Sequence, residues 1–235
     1  RRHSFPTRRS SDLDDPTPGE LQAIALATQH GLQPVVSISN LGNALRALGR
    51  IDDALAAFER GLALAQGPRL RRERALVRLN MGLLLGDRGR PGDYDRAFEA
   101  ATLGLQDVAG GVDPRIELHL LGLLASSETL RGDGAAARRH LLQALAGARR
   151  LSLVHAQLWL LLDWGRWLAR AGQVDRAFEV LGCVAARPDL PATDRATLPR
   201  LRLEWGASGT NPDPREAAGA QRALDALIDR IIAEA

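Results

Sequence analysis

Residues 37–65 read SISNLGNALRALGRIDDALAAFERGLALA and contain two helical patterns on either side of a tight turn. In the first pattern Ile38, Leu41 and Leu45 recur at intervals of three and four residues, so they share one face of a helix. The turn contains Gly49, a residue type that adopts left-handed backbone angles without steric cost. The stretch therefore predicts a helical hairpin.

The same turn recurs three more times along the chain. Each turn glycine is followed by an alanine just inside the second helix, where a small side chain lets paired backbones approach closely. The four pairs are Gly49/Ala54, Gly89/Ala97, Gly132/Ala137 and Gly172/Ala177, and their glycines are 40, 43 and 40 residues apart. Self-similarity at such a period is typical of stacked supersecondary units and not of a single closed globule.

Other positions repeat with the same register. Seven residues before each turn glycine stand Gly42, Gly82, Ala125 and Gly165, and four residues after each alanine stand Phe58, Ala101, Leu141 and Leu181. Three residues further on are Gly61, Gly104, Ala144 and Val184. The second and third units fit the pattern less well, because Arg78 and Glu128 occupy positions where core residues are expected.

This pattern resembles the tetratricopeptide repeat family. The residues that carry the resemblance are Leu41-Gly42, Ala54, Phe58 and Gly61 in the first unit, and Trp164-Gly165, Ala177, Leu181 and Val184 in the fourth. The resemblance covers about residues 19–187 and implies an all-α fold, a right-handed α-solenoid of antiparallel helix pairs. It implies about four repeats, a leading half-repeat and a C-terminal capping helix pair. The family's repeat is about 34 residues long, so longer helices or loops are expected here.

The predicted organisation has three parts. Residues 1–17 are a non-native or disordered lead, residues 18–188 are the helical repeats, and residues 189–235 are the capping helices. The first thirteen residues look like translated sequencing-adaptor read-through, with a genuine basic arm as the alternative. A helix predicted from Pro18 to about His30 would complete a preceding repeat, which favours a fragment of a longer protein.

The C-terminal part has its own helix signals. Thr193 is predicted to cap a helix that reaches Trp205, and Pro199 should kink that helix or shift its start. Asp213-Pro214 is predicted to open a last helix that ends near Ala233.

The charge balance gives no support for a nucleic-acid or membrane partner. The chain has 31 basic residues, all Arg, and 28 acidic ones. Four Arg and one Asp lie in the first thirteen residues, so the remainder carries 27 of each sign. No run of 18 apolar residues exists, so no transmembrane helix is expected. A single cysteine, Cys183, excludes an internal disulfide and is compatible with a reducing compartment, which predicts a cytoplasmic location.

No catalytic, cofactor or metal motif is found, and the chain is predicted not to be an enzyme. The glycines lie between helices and lack the strand–loop–helix context of a phosphate-binding loop. His30, His119, His140 and His155 have no cysteine or carboxylate partner at metal-ligand spacing. Cys183 is predicted to be a small core residue. Trp159 and Trp167 are predicted either to pack between helices or to line a groove.

The resemblance implies that first-helix residues on the concave face contact a partner. The matching positions are Asn43, Arg46, His119, Ser126, Arg166 and Arg170. Asn with Arg can hold a peptide carboxylate or an acidic side chain through paired hydrogen bonds. The second unit offers Leu79, Leu83 and Asp87 there, so a clamp for a C-terminal carboxylate is not expected. An ordinary solvated face is the alternative for these residues.

Two functions remain open at this point. The first is a scaffold that binds a protein or peptide partner, or another domain of the same full-length chain, in its concave face. The second rests on AGQVDRAFEVL at residues 171–181, followed by Ala186-Arg187-Pro188. This segment resembles the closing repeat of large bacterial LuxR-type and SARP-type regulators. That resemblance implies an effector-sensing region of an ATPase-type transcriptional regulator. The oligomeric state is not predicted.

Overall fold

The computed structural model describes residues 34–207 and 212–234, together with the isolated positions 22, 25, 26 and 29. In these ranges the chain is helical and contains no strand. In chain order the α-helices are α1 Pro34–Ala47, α2 Ile51–Leu64, α3 Arg71–Arg88, α4 Asp93–Val108, α5 Pro114–Arg131, α6 Gly134–Arg150, α7 Val154–Arg170, α8 Val174–Ala185, α9 Ala192–Arg195, α10 Leu198–Glu204, α11 Ala217–Ala220 and α12 Leu224–Ala233. Two 3₁₀ turns, Pro68–Leu70 and Pro214–Glu216, precede α3 and α11.

The predictions for the N-terminal part lie outside the continuous ranges. These are the lead at residues 1–17 and the helix from Pro18 to about His30, of which only the four isolated positions are described. None of the helices in the described ranges has the length and apolar composition needed to span a membrane.

The first eight helices form the four predicted hairpins, α1/α2, α3/α4, α5/α6 and α7/α8. Each predicted turn glycine has a left-handed backbone, for example Gly49 with φ of 72° and Gly132 with φ of 88°. A short turn with such a residue reverses the chain, so the two helices of each pair run antiparallel. The predicted all-α arrangement of stacked helix pairs is confirmed.

Small side chains lie where helices come closest. The four alanines inside the second helices are fully or almost fully buried. A methyl group on Gly42 would lie 2.5 Å from the ring of Phe58 in the same hairpin. A methyl group on Gly104 would lie 2.6 Å from Leu120 of the following hairpin. The repeated small residues therefore serve contacts both within a unit and between units.

The apolar core extends along the helical array in two clusters that a partly buried residue joins. One cluster runs from Val35 to Leu124, and a second runs from Leu118 to Ile231. Leu105 packs against both. Such a seam between neighbouring units is the core expected of a repeat array.

The two charged residues at expected core positions are held by partners from other helices. Arg78 bonds to the buried Asp107 and donates to the carbonyl of Leu103 at 3.0 Å. Glu128 is buried and contacts His140 Nδ1 at 2.8 Å. His140 thus has a carboxylate partner twelve residues away on the neighbouring helix, which is not a metal-ligand spacing. Pairing of this kind makes a buried charge tolerable.

The C-terminal part differs from its prediction in detail. Thr193 is not the capping residue, since Pro191 precedes α9 and Thr193 lies inside it. Pro199 does shift a helix start: the segment breaks after α9 and restarts as α10, with Pro199 in its first turn. Proline is tolerated there because first-turn amides have no helical acceptor.

The predicted last helix is likewise broken in two. A capping box at Asp213 and Glu216 opens it as predicted, but helix α11 ends at Ala220 and α12 begins at Leu224. The first piece crosses α8, and the second packs its apolar side against α6 and α8. A single straight helix cannot follow both directions, so the predicted capping helix pair consists of four short helices.

Candidate binding groove

A groove of about 870 Å³ runs across the first helices of successive units. We call it the first-helix groove, and α3, α5, α7 and the α9–α10 segment line it. On α7 its lining residues include Trp159, Asp163, Arg166 and Arg170. Their intervals of three and four residues place them on one side of that helix.

Four of the six predicted contact residues come together in this groove. They are His119, Ser126, Arg166 and Arg170, contributed by α5 and α7. Asn43 and Arg46 on α1 do not line it. Arg46 instead forms an ion pair with Asp87, which does line the groove. Its guanidinium is therefore engaged in joining the first unit to the second.

The middle of the groove has an aromatic floor. The six-membered ring of Trp159 lies where a side chain on Gly122 would stand, so the glycine makes room for the indole. The His119 ring packs beside it, with the two ring centroids 5.2 Å apart. His119 Nδ1 lies 2.8 Å from the carbonyl oxygen of Arg115. Because a carbonyl only accepts, Nδ1 carries the proton and Nε2 is left for other partners.

The C-terminal end of the groove is charged. Asp163 is bonded to Arg166 on the same helix, and Asp194 of α9 stands on the facing wall. Burial raises the pKa of Asp163 above its ordinary value, Arg166 opposes that rise, and the nearby charge of Asp194 adds to it. Burial also raises the pKa of Asp194, against the influence of Arg166 and His155.

Two arginines at this end have unused donors. Arg170 and Arg200 line the groove and are exposed. Within the described ranges neither guanidinium has an ion pair or a hydrogen bond, although many other arginines of the chain have carboxylate or carbonyl partners. Each therefore presents a charged donor group to whatever fills the groove.

Several lining residues are not predictable from the repeat pattern. They are Tyr94 from a second helix, and Asp194, Arg200 and Glu204 from the segment after the fourth unit. One contact joins that segment to the array. Trp205 follows Gly165 by 40 residues, and a methyl group on Gly165 would lie 2.7 Å from the indole. The α9–α10 segment thus contacts α7 through the Trp205 indole.

A second cleft, of about 510 Å³, lies near Arg74, Arg78 and Asp107. Both arginines bond to the Asp107 carboxylate, Arg74 through its Nε at 2.8 Å. Arg74 also donates to the carbonyls of Ala65 and Gly67, just beyond the end of α2. These guanidiniums bond to carbonyl groups just beyond the end of α2 and neutralise the buried Asp107 carboxylate. Their position in the cleft is therefore explained by their part in the fold.

Two further kinds of site that a protein can carry are a metal centre and a reactive thiol. In the described part of the chain no three His, Cys, Asp or Glu side chains form a group that could hold a metal ion. Cys183 is buried, and its Sγ lies 3.7 Å from the carbonyl oxygen of Arg222. Burial raises the pKa of this thiol, which disfavours the nucleophilic thiolate. Cys183 is the core residue that the sequence predicts.

Comparison with known proteins supports the repeat assignment. Residues 37–68 match the family model described as tetratricopeptide repeat. No significant match was found among curated proteins or among solved structures. Repeats of this family generally mediate protein–protein interaction and are typically non-catalytic. The described chain is therefore an all-α, tetratricopeptide-like helical repeat structure with one segment that matches the family directly.

Proposed function

We propose that this protein is a non-catalytic helical-repeat scaffold whose first-helix groove binds an extended polypeptide segment. The segment belongs to a partner protein or to another domain of the full-length chain. The observation that carries the proposal is the extent of the groove, which crosses α3, α5, α7 and the α9–α10 segment.

The size of the groove supports a polymeric ligand. Packed helices lie about 8–10 Å apart, so four neighbours span about 24–30 Å. An extended chain rises about 3.3 Å per residue, and about seven to nine residues cover that length. The volume alone also suits a small molecule, since such pockets measure about 300–1,000 Å³. The length across four helices favours a peptide.

The proposed contacts are His119, Ser126, Arg166 and Arg170, together with Trp159. Asn43 and Arg46 lie outside the groove, and no contact is proposed for them. The effector-sensing alternative stays a prediction from the sequence: the volume of the groove suits a small effector as well, but its length across four helices does not favour one.

A selection from a library of random nonapeptides tests the proposal. Binders selected on the wild-type protein are measured by fluorescence polarisation against Ser126→Trp, which fills the middle of the groove. Gln143→Trp, at an exposed site on α6, is the matched control. We expect Ser126→Trp to weaken binding at least tenfold and Gln143→Trp to leave it unchanged. Failure to select any binder, or equal binding to both variants, would contradict the proposal.

A further inference from the structure

We infer that the segment bound in the first-helix groove is acidic, with Asp or Glu side chains on Arg170 and Arg200 and an apolar side chain on Trp159. This inference rests on the proposed function and adds the chemistry of the ligand. It commits to carboxylate side chains of a peptide as the source of the negative charge.

Arg170 and Arg200 differ from the other arginine of the groove in their bonding. Among the guanidiniums that line the groove, that of Arg166 is already neutralised by Asp163. Arg46 lies outside the groove and pairs with Asp87, which lines it. Arg170 and Arg200 differ, since no acceptor within the described ranges reaches them. A guanidinium presents five donors in a fixed fork, and this geometry suits the two oxygens of a carboxylate. A ligand carboxylate would supply the missing acceptors.

The acids of the groove do not already fill this role. Asp194 and Glu204 line the same groove, but neither forms an ion pair with Arg170 or Arg200 in the described structure. Glu204 follows Arg200 by one helical turn and still makes no bond to it. These two carboxylates restrict where the ligand can carry acidic residues, because an acidic side chain placed beside either of them is repelled. The groove therefore favours a few acidic residues at defined positions over a long acidic run.

Trp159 is the reason to expect an apolar side chain in the ligand. Its indole is fixed over Gly122 and against His119, so the ring is held in place before any ligand binds. Leu123 and Leu162 line the groove with it. An indole held among leucines is a surface on which an aliphatic or aromatic side chain packs favourably.

The distance between Trp159 and Arg170 sets the spacing between the apolar and the acidic residue of the ligand. Trp159 and Arg170 lie eleven residues apart on α7, which corresponds to about 16 Å along the helix. An extended peptide whose path between these two side chains follows α7 covers that distance in about five residues. The ligand should thus carry an apolar residue and an acidic residue about four to six positions apart.

The composition of the selected nonapeptides tests the inference. The same library is selected against the wild-type protein and against the double variant Arg170→Glu/Arg200→Glu. The control is Arg139→Glu/Arg150→Glu, which changes two exposed arginines of α6 that also have no partner in the described structure. All four sites are exposed, so both variants should fold.

We expect the wild-type and control pools to be enriched severalfold in Asp and Glu, with an apolar residue about four to six positions away. The groove variant should lose that enrichment and select Lys and Arg instead. A wild-type pool without acidic enrichment, or one that the charge reversal does not alter, would overturn the inference. Binding that remains sensitive to Ser126→Trp in that case would keep the proposed function intact, whereas insensitivity would remove the function itself.

Discussion

Gly219 lies directly against the backbone of Glu179. A methyl group on Gly219 would stand 2.6 Å from the Glu179 carbonyl carbon and 3.0 Å from the amide nitrogen of Cys183. Only a residue without a side chain allows α11 to cross α8 this closely. The crossing fixes where the chain must turn before α12 can reach α6 and α8.

Substitution of this glycine should therefore destabilise the C-terminal end of the array. We expect Gly219→Ala to cost at least about 1–3 kcal/mol, because the new methyl group meets backbone atoms that cannot rotate away. Gly86→Ala is the matched control, since nothing lies within 4 Å of a methyl group there and the residue is inside helix α3. That change should stabilise by about 0.5–1 kcal/mol. Urea unfolding measures both, and equal midpoints would show that the crossing is looser than described.

A second test concerns the alanines inside the second helices. Ala54 and Ala177 are fully buried, so Ala54→Leu or Ala177→Leu should push paired helices apart and cost about 1–3 kcal/mol. Arg139→Ala, on an exposed and unpaired side chain, should change stability by less than about 0.5 kcal/mol. If all three proteins unfold at the same urea concentration, these alanines do not mark the close helix contacts.

The four hairpins are predictable from the sequence because each one repeats the same local requirements. A turn glycine such as Gly49 and a buried alanine such as Ala54 act within one hairpin, so their spacing along the chain reveals them. The buried charges are harder to predict. In the sequence Arg78 and Glu128 only interrupt the apolar pattern. Their partners Asp107 and His140 lie on other helices, so the pairing appears only in the structure.

The lining of the groove is likewise only partly predictable from the sequence. His119, Ser126, Arg166 and Arg170 follow from their positions in the repeat. Arg200 cannot be predicted in this way, because the small-residue pattern ends after the fourth unit. The α9–α10 segment that carries Arg200 joins the array through Trp205. The break of the last helix accompanies a tertiary contact that the sequence does not reveal, the crossing of α11 over α8 at Gly219 and Glu179.

The buried ion pair between Arg202 and Glu216 links α10 to the segment that precedes α11. Its two hydrogen bonds measure 2.7 and 2.9 Å, and both side chains are less than a tenth exposed. Glu216→Ala leaves a buried guanidinium without its carboxylate, and we expect a loss of about 3–5 kcal/mol in unfolding free energy.

The surface pair of Arg96 with Glu59 supplies the comparison, at 2.8 Å but with both side chains 43% exposed. Glu59→Ala should cost no more than about 1 kcal/mol. Chemical denaturation of the two variants beside the wild-type protein makes the measurement. A similar loss for both would mean that burial does not decide the strength of these pairs.

Asp213 makes stability depend on pH in the acid range. Its side chain accepts hydrogen bonds from Arg215 Nε at 2.7 Å and Nη2 at 2.9 Å, and from the Arg215 amide at 2.9 Å. These bonds lower the pKa of Asp213 to about 2 in the folded protein. An unfolded aspartate has a pKa of about 3.9. The folded state thus favours the ionised form, so this contribution is complete above about pH 3.9 and is lost as the pH falls towards 2.

Asp213→Asn removes the titrating group, and its effect on unfolding free energy should therefore shrink as the pH is lowered from 5 to 2. Urea unfolding at half-unit pH steps gives this difference between wild-type and variant proteins. Arg215→Met should weaken the same pH dependence in the remaining Asp213, because the side-chain hydrogen bonds from Arg215 are the largest cause of the low pKa. A difference between the wild-type protein and Asp213→Asn that stays constant from pH 5 to 2 would show that Asp213 titrates alike in the folded and unfolded chains.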